Sequence, residues 1–188
     1  MACAAGLFGL SLLFWPVDGL IVRSYAPDRT VEPPVFVALA PLGQEFGTGF
    51  IHSVQRTPVL DVYRIAGGRI WLWREYVQSH NAGLPFQAPA FGRFRLQYPW
   101  MVIEGGRQAW PRIVLRVGNA ELGRNVFIWK QEDGLCPSRM WRIAGRQDSS
   151  MEKGMVRIDL HEHYPGQRFT LGVERQPLAC MLAYRADI

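Results

Sequence analysis

Beyond the first two dozen residues, no stretch of this chain carries a long amphipathic helical pattern. Apolar and polar residues instead alternate over short runs bounded by Gly and Pro, which is the signature of strands. Val35 to Leu39 and Phe46 to Val54 are two such runs. Val59 to Ile65 and Arg69 to Val77 read as a hairpin joined by Ala66-Gly67-Gly68. Further runs fall at Arg93–Tyr98, Arg112–Val117, Asn125–Lys130, Met140–Ile143, Val156–Leu160 and Arg168–Glu174, and Leu178–Tyr184 fits a strand or a short helix. The polar stretch Gly145–Gly154 reads as a loop. Strands recurring at this spacing predict an all-β fold, a single β-sandwich or small barrel-like domain.

The N-terminus is different. Ala2 to Val17 carries no charge, and Leu20-Ile21-Val22 extends the apolar run past Pro16 and Asp18. A cleaved signal peptide calls for a basic residue before the apolar core, and none is present. A core helix would not show apolar residues on every side. The preferred reading is a hydrophobic helix over residues 1–22 that anchors the chain in the bilayer. Residues 23–34, with three prolines and four charges, form a linker, and 35–188 a β-rich extracytoplasmic domain. This places the chain in the inner membrane, single-pass, with its body in the periplasm.

The 154 residues from 35 to 188 are enough for the body to bury its own core. The net charge of +5 comes from Arg scattered among acids, with no basic stripe, so no nucleic-acid partner is expected. Cys136 and Cys180 have no neighbours at metal-ligand spacing. They form either a disulfide or two unrelated thiols.

Candidate chemistry is sparse. His161 and His163 flank Glu162, and on a strand they would share one face, as two metal ligands would. His52-Ser53 with Asp61 holds the elements of a nucleophilic triad, but adjacent strand residues face opposite ways, and no G-x-S-x-G elbow is present. Ser79 to Pro85 is the most turn-rich polar segment, and Asn81 and Gly83 tolerate the left-handed backbone of an anion-binding nest. His52, Ser53, Asp61, Ser79, His80, Asn81 and Gly83 fall near the ends of neighbouring strands and form a candidate polar ligand site. Six of the seven Trp lie in the body: Trp71, Trp73, Trp100, Trp110, Trp129 and Trp141. That surplus is either packing or a partner surface.

These segments resemble the bacterial family of domain of unknown function 1850. The resemblance runs through Phe50-Ile51-His52-Ser53-Val54, Asp61-Val62-Tyr63, the Ser79–Pro85 turn, Leu115-Arg116-Val117-Gly118, Asn125-Val126-Phe127-Ile128 and Pro165-Gly166-Gln167-Arg168-Phe169. His80-Asn81 departs from the family pattern of an aromatic or hydrophobic residue followed by glycine. Members look like small extracytoplasmic proteins with one N-terminal hydrophobic segment, often encoded beside tripartite ATP-independent transporters of the TAXI type. The resemblance implies a non-catalytic accessory or assembly module of a membrane complex with an integral membrane partner, and no cofactor. The alternatives are a small-ligand or metal-binding periplasmic protein using His52, Asp61 and His80, or a hydrolase with His52 as base.

Overall fold

The computed structural model describes residues 13–25, 33–79, 87–119, 121, 123–130 and 155–183. The smaller sheet contains β1 (Pro16–Ser24), β2 (Pro34–Leu39), β9 (Arg112–Arg116) and β12 (Arg168–Pro177), in the order β2-β1-β12-β9. The larger sheet contains β3 (Glu45–Ile51), β4 (Pro58–Ala66), β5 (Arg69–Val77), β6 (Gly92–Gln97), β7 (Trp100–Gly105), β10 (Gly123–Lys130) and β11 (Met155–Asp159). Its order is β11-β10-β3-β4-β5-β7-β6, with the two-residue β8 (Ala109–Trp110) beside the start of β5. The paired strands of both sheets are antiparallel.

The sheets pack face to face, so the fold is a β-sandwich. Leu20, Val22, Phe36, Phe169 and Leu171 of the smaller sheet share one core with Phe46, Ile65, Ile70, Phe127 and Trp129 of the larger. Phe36 reaches across the layers and meets Phe127 and Trp129 edge-on at 5.4 and 5.5 Å between ring centres. Such pairs add about 1 kcal/mol beyond the area they bury. Of the Trp residues marked in the sequence, Trp129 is therefore packing. Trp71, Trp73 and Trp100 are half-buried, Trp110 is exposed, and Trp141 lies outside the described residues.

The main correction concerns the N-terminus. Pro16 to Val22, read from sequence as the end of an anchor helix, form β1, which pairs with β12 over nine residues and with β2 on its other edge. Leu20 and Val22 face the core, while Gly19 and Ile21 face away from it and are covered too. The cover is α2 (Leu178–Ala183), whose Met181 packs where a side chain at Gly19 would stand: a Cβ there would lie 2.0 Å from Met181 Cε. A strand buried on both faces reads as a continuous apolar run, and this one mimics a membrane segment. Arg23, Ser24 and Pro34, read as linker, also lie in strands, and residues 1–12 and 26–32 lie outside the described residues. Among the described residues no helix is long and apolar enough to cross a membrane.

The strand predictions hold for β2 to β6 and β9 to β12, and the segment from Leu178 is the helix of its two alternatives. Three strands are absent from the sequence reading: β1, β7 and β8. The Met140–Ile143 run and the Gly145–Gly154 loop lie outside the described residues.

Candidate functional site

His52 and Ser53 begin the β3–β4 connection. His52 N–H donates to Thr57 O at 2.9 Å and Arg56 N–H to His52 O at 2.8 Å. The imidazole Nδ1 accepts from the Val54 and Gln55 amides at 3.3 Å each. The ring thus organises a tight turn, in which Arg56 adopts a left-handed φ of 55°. Ser79, just past β5, donates its hydroxyl to Gln55 Oε1 at 3.1 Å and joins this turn. The structure therefore brings His52, Ser53 and Ser79 to one end of the larger sheet. His80, Asn81 and Gly83 lie outside the described residues.

Asp61 does not join them. It pairs with Thr48, whereas the turn begins beyond the Ile51–Pro58 pair, three residues away and roughly 10 Å along the strands. On the inward face the register sets Thr48, Asp61, Glu75 and Ile103 in one row across β3, β4, β5 and β7. Two carboxylates thus stand side by side in a core-facing row.

Their juxtaposition comes from a bulge. The Gly67-Gly68 turn pairs Ala66 with Arg69 and Tyr63 with Leu72. Continued without interruption, that register sets Asp61 opposite Arg74, an ion pair. Instead Trp73 is an extra residue, so Val62 pairs with Arg74 and Asp61 with Glu75. Arg74 turns to the other face, where its Nε lies 3.0 Å from Glu104 Oε1. Glu75 is the functional candidate that the sequence reading misses, because nothing in the local sequence announces the bulge.

Burial pushes the Asp61 carboxyl up to about 6, against the opposing effect of the Tyr63 hydroxyl, which donates to Oδ2 at 3.3 Å. Burial, and then the charge of Asp61, push Glu75 up to about 7. Burial first, and then the Asp61 charge, raise Tyr63 well above the usual phenol range. The pair therefore releases its protons around neutrality as one coupled unit. It can hold a proton, or accept hydrogen bonds from a hydroxyl or an ammonium group.

The opposite face of the same strands carries a groove of about 680 Å³. Its apolar lining includes Ile51, Leu60, Trp100 and Val126 around Gly49. Gly49 is required there, since a Cβ would stand 2.8 Å from Val126 Cγ2. Arg124, Arg157, Asp159, His161 and Glu162 supply the charged and polar lining. Arg157 donates to Asp159 Oδ1 through Nε at 3.1 Å and through Nη2 at 3.0 Å.

His161 and His163 are not on a strand. They belong to the single turn α1 (Leu160–His163), in which residues two apart point about 200° away from each other. His161 Nδ1 lies 3.3 Å from Asn125 O. Among the described residues no group of three His, Cys, Asp or Glu is placed to hold a metal. Cys180 is exposed on α2, and Cys136 lies outside the described residues.

Several residues that carry the family resemblance perform backbone work. The buried Asn125 accepts the Gly118 amide through Oδ1 at 2.6 Å, tying the start of β10 to the end of β9. Gly166, at a φ of 77°, turns the chain into β12 and donates its N–H to Val117 O at 3.1 Å. Asp61-Val62-Tyr63 is the segment that instead builds a polar cluster.

Fold and site define a two-sheet β-sandwich domain with a titrating carboxylate pair inside its larger sheet and a groove outside it. Residues 46–133 match the family described as Domain of unknown function (DUF1850), the family that the sequence resembles. It runs from β3 past the end of β10 and includes His52, Asp61, Glu75, Gly118 and Asn125, while the α1 side of the groove and the Pro165–Phe169 turn lie outside it. No curated protein and no solved structure matches the chain.

Proposed function

We propose that this is a non-catalytic, membrane-attached extracytoplasmic domain that serves as a binding or assembly module of a membrane complex. The observation that carries the reading is the outer groove, whose apolar centre and charged surround have the anatomy of a protein interface. Leu60, Val126 and Trp100 would bury against an integral membrane partner, and Arg124, Arg157 and Glu162 would set its orientation. A transport system is the partner class that the family resemblance implies. The engagement of His52 with backbone amides favours binding over hydrolysis, because a general base needs its ring nitrogen free for the reacting group.

A second reading, a small polar ligand in the groove, is favoured by its volume, which falls in the range of ligand pockets. Co-purification from detergent-solubilised membranes separates the two. The full chain recovers a stoichiometric integral membrane protein, and Leu60→Asp loses it while keeping the wild-type unfolding midpoint. Recovery that is unchanged in Leu60→Asp contradicts the assignment of this face.

A further inference from the structure

We propose that the end of the sandwich at which β1 begins is a lipid-contacting seat that holds the domain flat against the bilayer interface. This rests on the membrane-attached reading above and adds which surface meets the lipid.

Register places five segments at this end. They are residues 13–15 ahead of β1, the β2–β3 turn around Leu42, the Gly67-Gly68 turn, Trp110-Pro111, and the start of α2. Ala40 N–H donates to Asp18 O and Gly43 N–H to Ile65 O, so the Leu42 turn spans both sheets. Leu178 N–H donates to Trp15 O, and Val173 N–H to Pro111 O. The apolar groups displayed are Phe14 (72% exposed), Trp15 (65%), Leu42 (87%) and Trp110 (38%). A hydrophobic residue left this open on a connection between sheets has no packing role.

Among the described residues, the exposed charges of the strands and turns at this end are cationic. Arg69, Arg112 and Arg175 are exposed, whereas Asp18, Glu45 and Glu174 are half-buried. Glu45 is held by Arg64 and Glu174 by Arg23. The far end, around His52, mixes exposed Arg56 with exposed Glu121 and Glu162. Trp at the headgroup level and Arg towards anionic headgroups are what a bilayer interface selects.

The test uses the full chain in phosphatidylethanolamine–phosphatidylglycerol vesicles, with a photoreactive phenylalanine at Leu42, at Trp110, or at Tyr98 on the exposed far-end turn. The seat predicts lipid adducts at Leu42 and Trp110 at least fivefold above Tyr98. It also predicts a loss of about threefold in the Arg69→Glu, Arg175→Glu double variant. Equal yields at all three positions, in chain that floats with the vesicles, overturn the seat and leave membrane attachment standing. Protein adducts in place of lipid adducts at Leu42 and Trp110 in native membranes overturn it in favour of a protein partner. Chain that fails to float overturns the membrane-attached reading itself.

Discussion

Replacing Glu75 by glutamine should make the domain more stable at pH 8 and change it little at pH 4. In the folded state both carboxyls of the pair bind their protons more tightly than in the unfolded chain, Asp61 at about 6 against 3.8 and Glu75 at about 7 against 4.5. Between pH 4 and pH 7 the folded state therefore holds more protons, and stability falls as pH rises, levelling off above the folded values. A shift of about two units on Asp61 corresponds to roughly 3 kcal/mol at about 1.4 kcal/mol per unit. Glu75 is more open to water, and its share is screened to less. Glu75→Gln removes a charge that burial first and the facing Asp61 second disfavour, so it should recover about 1–2 kcal/mol at pH 8. Urea unfolding followed by Trp fluorescence at pH 4, 6 and 8, on both chains, gives the difference directly. A difference independent of pH, or one in which Glu75→Gln is less stable at pH 8, would refute the account of this row as a buried carboxylate pair.

Further expectations follow from single contacts. Asn125→Ala leaves the Gly118 amide without its acceptor and should cost about 1–3 kcal/mol, read as a lower urea midpoint. Gly19→Ala should displace Met181 and cost about 1–3 kcal/mol by overpacking. Combined with Met181→Ala it should cost less than the sum of the two, as a double-mutant cycle would show. Gly49→Val drives a side chain into Val126 and fills the groove floor. It should abolish partner recovery, with a loss of about 1–3 kcal/mol in the same unfolding assay. His52→Ala removes two long hydrogen bonds at an open turn and should cost about 1 kcal/mol or less.

The sequence made the sandwich legible because most of its strands present one face to the core and so alternate. β1 escaped because α2 covers its second face, which erases the alternation at Gly19–Val22. β7 escaped for the same kind of reason, since Met101, Val102 and Ile103 are consecutively buried. Asp61 was visible as the acid that accompanies His52-Ser53 and as part of the Asp61-Val62-Tyr63 resemblance. Its partner was not, because strand register past a bulge depends on the extra residue, Trp73, and not on any pattern in the run. His52 and Ser79 meet in one turn through Gln55, whose backbone N–H donates to His52 and whose side-chain oxygen accepts from Ser79, and Gln55 carried no signal of its own.

The binding role of the outer groove is tested most directly by photo-crosslinking in intact cells. A photoreactive residue at Val126, on the groove wall, is compared with one at Val114, exposed on the edge strand β9 of the other sheet. The account predicts an adduct with one integral membrane protein from Val126 and none from Val114. The same adduct from both positions, or from Val114 alone, would contradict it.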